Sequence, residues 1–359
     1  MINVTKTYLP PFEEYAAVIK RAWDKGQITN NGELVQELEQ KLKDYLGVKY
    51  LLFCNNGTIV LQMALKALEI KGEVLTTPFS YVATTNAILW ENCKPVFVDI
   101  NQNTFNINAD KIEASITENT QALLATHVYG ISCDIEKIES IAVKYNLKVI
   151  YDGAHAFGCT YKNKSLLSYG DISTCSFHAT KLFHTVEGGC VICADEIIYK
   201  KLYLFRQFGH IYDDYFSVGI NAKNSEFHAA MGLCVLQTLP ELINLRKQMF
   251  FWYNAELQTL HLESPVYDRS TYNFSYYPVL FNSEKELLSV KNDLQVKGIN
   301  ARRYFYPSLN KLPFLNQQIC PVSEDISERV LCLPLFHDLE HHEIILISSI
   351  IKDSLSKIK

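Results

Sequence analysis

The sequence lacks an excess of positive charge. Its 359 residues include 34 lysines and arginines against 39 aspartates and glutamates, which gives a formal net charge of -5. Nucleic acids and anionic membranes favour clustered Lys and Arg, so we expect neither as a partner, and any anionic ligand has to be bound by local groups. With 48% hydrophobic and 20% charged residues, the chain has a globular composition and sufficient length for one large and one small domain.

Long hydrophobic runs are also missing. No apolar stretch of the sequence approaches the ~20 residues that cross a bilayer, and the N-terminal residues have no apolar core of the kind found in signal peptides. We therefore expect a cytoplasmic protein with no membrane contact.

The ten cysteines do not frame loops, as they do in disulfide-rich proteins, but occur singly within apolar stretches. This usage is typical of reduced, buried thiols. Cys190 and Cys193 are the exception because they form a CxxC spacing. The surrounding segment GGCVICADE has the pattern of a strand, in which residues three apart point to opposite faces, so we predict no metal or redox site there.

Short apolar runs alternate with helical segments over the first two thirds of the chain. The runs are LLFC, EVLTT, PVFVDI, ALLATHV, KVIYD, STCSF and GCVICA, and the helical segments include 33–46, 58–68, 81–90, 135–145 and 196–208. Strands that alternate with helices predict an α/β fold with a doubly wound, mostly parallel sheet.

The pattern changes near residue 240. A helical segment over 242–257 leads to the run FSYYPVLF, a helix in ELLSVKNDLQVKG, the aromatic and basic stretch ARRYFYP, and a final helix in HHEIILISSIIKDSL. We predict a large domain over residues 1–240 and a smaller C-terminal α+β domain over residues 241–359.

Three polar segments follow strands of the predicted sheet. Gly57 and Thr58 in NNGT open a helix after LLFC, Asp152 ends KVIYD, and Lys181 lies in SFHATK, before EGG. A glycine turn at a helix N-terminus suits a phosphate, although Asn and Thr are also common helix caps. Taken singly, Asp152 could equally be a turn residue and Lys181 a solvated charge. Together they fit a cofactor whose ring nitrogen needs a carboxylate and whose aldehyde needs an amine.

These motifs resemble those of the sugar aminotransferases of the DegT/DnrJ/EryC1/StrS family, within fold type I of the pyridoxal-phosphate enzymes. The resemblance covers essentially the whole chain, through GQITNNGELVQELEQKL, NNGT, TTPFSYVATTNAI, PVFVDI, HVYG, VIYDGAHAFG, SFHATK, EGG and RVLCLPL. The order and spacing of the motifs carry it, since no single motif is decisive. It implies the fold type I architecture and pyridoxal 5′-phosphate as cofactor.

The resemblance also implies roles for particular residues. Lys181 matches the lysine that forms a Schiff base with the cofactor and shuttles a proton. Asp152 matches the carboxylate that pairs with the protonated pyridine nitrogen. The cofactor phosphate is expected to be held by Gly57, Thr58 and Ser176.

Three further cofactor contacts are implied. Tyr81 matches the aromatic residue that stacks on the cofactor ring, and His155 stands where many members have Gln beside the ring oxygen, to which either residue can donate a hydrogen bond. Asn221 matches an asparagine that reaches the phosphate across a dimer interface, which implies a homodimer with shared active sites. Lys223 replaces an arginine of many relatives, so a phosphate or sugar contact at that position stays open.

The implied reaction has two halves, in which L-glutamate gives up its amino group and leaves as 2-oxoglutarate, and a nucleotide-linked keto-sugar then receives that group. The form SFHATK-x-F-x-T-x-EGG and the segment GINAKNSEFHAAMGL resemble enzymes that act at C4 of TDP-4-keto-6-deoxyhexoses more than those that act at C3. We expect TDP-4-keto-6-deoxy-D-glucose as substrate, in deoxysugar biosynthesis for lipopolysaccharide or O-antigen. A C3 aminotransferase, a galacto-configured product and a UDP- or GDP-linked sugar stay open.

The sequence argues against two other functions. The family also contains sugar 3-dehydratases, which have His in place of the lysine, and Lys181 argues against that activity. A non-catalytic relative that serves as a binding or regulatory protein is a different class. The combination of Lys181, Asp152 and Ser176 argues against it.

Overall fold

The computed structural model of the protein describes residues 1–358. Within them the helices are α1 (Phe12–Lys25), α2 (Glu33–Leu46), α3 (Gly57–Ala67), α4 (Val82–Trp90), α5 (Ile135–Tyr145), α6 (Glu196–Arg206), α7 (Glu226–Leu257), α8 (Glu284–Val296), α9 (Pro321–Arg329) and α10 (His341–Ser356). The strands are β1 (Ile2–Asn3), β2 (Tyr50–Cys54), β3 (Glu73–Thr76), β4 (Lys94–Phe97), β5 (Thr120–Thr126), β6 (Lys148–Asp152), β7 (Thr160–Tyr161), β8 (Lys164–Ser165), β9 (Ile172–Ser176), β10 (Gly189–Cys193), β11 (His210–Ile211), β12 (Asp214–Tyr215), β13 (Tyr277–Leu280), β14 (Ile299–Asn300) and β15 (Val330–Leu333). None of the helices in this part of the chain combines the length and hydropathy needed to span a bilayer.

A seven-stranded sheet forms the centre of the fold, with the strand order β2-β10-β9-β6-β5-β3-β4. Strand β10 is antiparallel to both of its neighbours, and the other pairs are parallel. All seven apolar runs of the sequence are strands of this sheet. The predicted α/β fold with a mostly parallel sheet is therefore confirmed.

Helices cover both faces of the sheet and enclose two separate hydrophobic cores. One core contains residues of α3, α4 and α6, and the other contains residues of α2, α5 and α7. Cys190 belongs to the second core and Cys193 to the first, so the prediction that the two thiols lie on opposite faces of β10 is confirmed. All ten cysteines are buried and unpaired, as predicted.

Helix α7 is longer than the sequence pattern indicated. Proline lacks a backbone N–H and normally ends or kinks a helix, yet α7 continues through Pro240. Val235, Leu239, Leu242 and Arg246 are buried at helical spacing on both sides of the proline, so packing holds the helix together. The division predicted at residue 240 thus falls inside one continuous helix.

The residues after α7 form a second layer. Strands β13 and β15 pair antiparallel, and α8 packs against α10 in the same region. The N-terminal strand β1 joins this layer, since it pairs with β14 and not with the seven-stranded sheet. Loops of this layer lie over the carboxyl edge of the large sheet, where α3 begins.

Candidate active site

A pocket of about 290 Å³ opens at that edge. Seven of the eight predicted site residues line it: Gly57, Thr58, Tyr81, Asp152, His155, Ser176 and Lys181. The eighth, Asn221, is not among the lining residues. A larger groove of about 960 Å³ lies between the end of α2 and the β7–β8 hairpin and is lined by none of the eight. The smaller pocket is therefore the candidate site.

Asp152 ends β6 and is buried. Its carboxylate accepts hydrogen bonds from the Thr84 hydroxyl at 2.7 Å and from the Ala154 N–H at 3.0 Å. Burial raises the pKa of Asp152, whereas these two donors and the charge of Lys181 lower it. A cation bound beside the carboxylate would offset the cost of burying its charge, and a protonated pyridine nitrogen is such a cation.

His155 is held in one protonation state by its surroundings. Its Nδ1 accepts a hydrogen bond from the Tyr129 N–H at 3.1 Å. Burial and the nearby charge of Lys181 keep the pKa of His155 well below its usual value, so the ring is neutral. A neutral imidazole that accepts at Nδ1 carries its proton at Nε2. His155 can therefore donate from Nε2 to an oxygen of a ligand in the pocket.

The start of α3 combines a helix cap with a cradle for an anion. Asn56 Oδ1 accepts hydrogen bonds from the N–H groups of Thr58, at 3.0 Å, and Ile59, at 2.8 Å. The capping interpretation of this turn is thus right. The Asn56 cap does not use the Gly57 N–H or the hydroxyls of Thr58 and Ser176. These three groups can donate to a ligand at the positive end of the helix dipole. This donor set fits a phosphate.

Gly57 is needed for the close approach of α3 to the end of β9. A Cβ atom at this position would lie 2.7 Å from Ser176 Cβ. Gly57→Ala is expected to raise the Kd for pyridoxal phosphate at least roughly tenfold, because the methyl group displaces Ser176 from the cradle. The same clash is expected to lower the stability of the apoprotein by roughly 1–3 kcal/mol, which outweighs the ~1 kcal/mol that alanine gains over glycine inside a helix. Absorbance titration with the cofactor checks this, with Ser176→Ala as the comparison.

Ser176→Ala removes one hydroxyl without a clash, so its effect on the Kd should be the smaller of the two. A Gly57→Ala variant that binds the cofactor as tightly as the unmodified protein would show that the phosphate does not lie in this cradle.

Lys181 lies in the loop between β9 and β10. Its backbone N–H donates to His178 O at 2.8 Å, and its Nζ lies 3.5 Å from Tyr276 Oη. Burial lowers the pKa of Lys181, although the carboxylate of Asp152 raises it. A lowered pKa increases the fraction of neutral amine near pH 7. The neutral amine is the form that attacks a carbonyl group and accepts a proton.

Tyr81 and Asn221 differ in their relation to the pocket. Tyr81 precedes α4, is 61% exposed and lines the pocket, so its ring can cover a flat ligand. Asn221 is exposed outside the pocket, where its Oδ1 accepts from Lys223 Nζ at 2.9 Å and its backbone oxygen accepts from Asn55 Nδ2 at 3.2 Å. It lies beside the turn that precedes α3 but contributes nothing to the pocket of its own chain.

The second layer supplies lining residues to which sequence reasoning assigned no role. These are Tyr276, Arg302, Tyr304 and Phe305. In the sequence, FSYYPVLF stands out only as a run within the smaller domain, and ARRYFYP only as an aromatic and basic stretch. The unusual density of aromatic residues was the available signal, but no spacing relates these stretches to the large sheet.

Comparison with known proteins agrees with this geometry. The model of the DegT/DnrJ/EryC1/StrS aminotransferase family matches residues 12–352. The chain is 42% identical to the dTDP-4-amino-4,6-dideoxy-D-glucose transaminase of Shigella dysenteriae, over 94% of this chain and 95% of that protein. A protein of the same name from Escherichia coli is 36% identical over 98% of each chain. The crystal structure of DesI in the presence of its TDP-sugar product has a TM-score of 0.92 at 28% identity, over 98% of this chain and 92% of that one.

Proposed function

The chain belongs to the DegT/DnrJ/EryC1/StrS aminotransferase family, and from that premise we propose that it transfers an amino group to C4 of TDP-4-keto-6-deoxy-D-glucose. The proposed product is TDP-4-amino-4,6-dideoxy-D-glucose, and the proposed amino donor is L-glutamate. The convergence of Lys181, Asp152 and the anion cradle in one pocket supports the reaction type. The names of the two relatives support the sugar. Lipopolysaccharide O-antigen is the proposed destination of the product.

Pyridoxal 5′-phosphate is the cofactor of this family, and the donor set of the pocket fits it. When bound, it supplies an aldehyde that carries the amino group and a ring that accepts negative charge. Asp152 would hold the ring nitrogen protonated, and His155 would donate from Nε2 to the ring oxygen. Gly57, Thr58 and Ser176 would hold the phosphate.

Lys181 carries out the proton transfers in this proposal. Its Nζ, deprotonated more readily because of burial, would accept the proton from Cα of the amino donor in the first half-reaction and pass it to the former aldehyde carbon of the cofactor. In the second half-reaction the same nitrogen would take a proton from that carbon and deliver it to C4 of the sugar. One base with a pKa brought closer to neutrality can serve in both directions.

The test of the function is incubation with L-glutamate and one keto-sugar at a time, followed by mass and NMR analysis of the product. TDP-4-keto-6-deoxy-D-glucose should yield the equatorial 4-amino sugar. UDP- and GDP-linked 4-keto-6-deoxyhexoses and a TDP-linked 3-keto sugar complete the panel. Preferred amination of the 3-keto sugar, an axial C4 amine, or a preference for another nucleotide would each overturn the proposed substrate.

A homodimer is the proposed assembly. The segment 207–221, which contains the β11–β12 hairpin, exposes a cluster of large apolar side chains: Phe208, Ile211, Tyr212, Tyr215, Phe216, Val218 and Ile220. Clusters of this kind are typical of protein interfaces. Asn221 ends the same segment, so a second copy seated on the hairpin would receive Asn221 near its own cofactor.

Mixing two inactive variants tests the shared site. A Lys181→Ala subunit and a subunit with Asn221→Asp, whose carboxylate repels the phosphate, should form hybrid dimers in which one site carries neither defect. Random exchange should restore up to roughly a quarter of the unmodified activity. Native mass spectrometry confirms that hybrids form. Hybrids without activity, or an active monomer, would remove Asn221 from the partner's site.

A further inference from the structure

Tyr276 contacts the reactive nitrogen of Lys181 from the second layer. Its hydroxyl accepts a hydrogen bond from Lys181 Nζ at 3.5 Å. Tyr276 directly precedes β13, so the contact joins two distant parts of the chain. The ring lies edge-on to the ring of His155, with a centroid distance of 4.9 Å. One tyrosine thus contacts both the amine and the proposed hydrogen-bond donor to the cofactor ring.

The backbone around Tyr276 is fixed to the loop that carries His155. Asn273 Nδ2 donates to the backbone oxygens of His155, at 2.9 Å, and Phe157, at 2.8 Å. Asn273 Oδ1 accepts from the Ser275 N–H at 3.1 Å. Because these groups are buried, breaking the connection would leave polar atoms without partners. The Tyr276 hydroxyl is therefore held at a set place relative to the pocket.

Arg246 of α7 strengthens this arrangement. It is buried, and its Nη1 donates to Ser275 O at 3.2 Å. Among the described residues its Nε makes no hydrogen bond and no carboxylate forms an ion pair with it. A buried cation without a counter-charge is costly, and the hydrogen bond to Ser275 O offsets part of that cost. Ser275 directly precedes Tyr276.

We propose that Tyr276 is a positioning residue for Lys181. Its hydroxyl holds Nζ by a hydrogen bond whenever the amine is not covalently engaged and directs it toward the substrate carbon. The proposal rests on the proposed function for the proton transfer that it assists. The hydrogen bond itself does not depend on which sugar is bound.

The pKa of Lys181 should depend on its hydrogen bond with the Tyr276 hydroxyl. Asp152 from β6, Cys175 from β9, Tyr304 from the second layer and Tyr81 before α4 also face the amine, and all four raise the pKa of Lys181. The Tyr276 hydroxyl accepts from the ammonium group and so favours the same charged form. Removing the hydroxyl removes one group that stabilises the charged form. The lowering effect of burial should then dominate more strongly, and the pKa of Lys181 should fall further.

The experiment compares Tyr276→Phe with Tyr277→Phe in full-length protein loaded with pyridoxamine 5′-phosphate, which has no aldehyde and leaves Lys181 free. Tyr277 is the matched control because it is the adjacent buried tyrosine and its hydroxyl donates to Asn254 at 2.9 Å, away from the pocket. Acetylation of Lys181 is followed across pH by mass spectrometry. The midpoint should fall by about 0.5–1 pH unit in Tyr276→Phe and stay unchanged in Tyr277→Phe.

Single-turnover kinetics supply the second measurement. In Tyr276→Phe the rate constant for the L-glutamate half-reaction should fall roughly tenfold with little change in the Kd for L-glutamate, and Tyr276→His, which keeps a hydrogen-bonding ring, should recover part of the loss. Equal acetylation midpoints in the two Phe variants would overturn the role of Tyr276. A shifted midpoint in a protein that aminates no sugar would instead support Tyr276 and overturn the proposed function.

Discussion

Lys181→Ala is expected to abolish transamination while the protein stays folded. In the proposed mechanism the amine is both the covalent attachment point of the cofactor and the base for proton transfer, so the rate should fall by roughly 10⁴-fold or more. Stability should change little, because Lys181 in the apoprotein is a buried amine whose charge is disfavoured by its surroundings. Steady-state assays with L-glutamate and the TDP-linked keto-sugar measure the loss.

Borohydride reduction identifies the attachment site directly. Treatment of the unmodified protein with labelled cofactor and borohydride should fix the label on Lys181 and nowhere else. Lys164→Ala is the control variant, since Lys164 is exposed on β8 and does not line the candidate site. Label on another lysine, or normal turnover by Lys181→Ala, would show that the assignment is wrong.

Asp152→Asn is expected to reduce turnover by about 10²–10³-fold. The amide has nearly the same shape but cannot hold the ring nitrogen protonated. Because burial raises the pKa of Asp152, its ionised form opposes folding of the apoprotein. This cost accumulates as pH rises from the ordinary pKa of an aspartate to the raised pKa, and it is fully present above the raised pKa. The variant should therefore be at least as stable as the unmodified apoprotein at neutral pH, while it loses activity.

Asp353→Asn provides the matched comparison, because Asp353 is exposed on α10. It should leave both turnover and the melting temperature unchanged. Thermal melts of the two apoproteins, together with turnover of the cofactor-loaded forms, separate the two effects. Near-normal turnover of Asp152→Asn with cofactor bound would remove Asp152 from the mechanism.

The large sheet could be predicted from the sequence because its strands are local apolar runs separated by helical patterns. Each of the residues Gly57, Asp152 and Ser176 lies at or beside the end of such a run, and parallel strands bring these ends to one edge. Their convergence follows from local signals and topology.

The contribution of the second layer could not be predicted in the same way. Tyr276 reaches Lys181 only because the loop before β13 folds back over the large sheet, and no periodicity in the sequence encodes that contact. The full length of α7 is hidden from sequence patterns for a related reason. Pro240 is a local signal for an interruption, and the buried side chains that override it act through tertiary packing.

The course of α7 through Pro240 also bears on how the protein unfolds. The helix packs against α1 and α2 beside the large sheet, and it also contacts α10 of the second layer. Unfolding of the large-sheet region or of the second layer would expose apolar side chains of α7. The remaining region would then lose the packing that α7 provides. The chain should therefore lose its structure in one cooperative step, with no intermediate in which only the seven-stranded sheet survives.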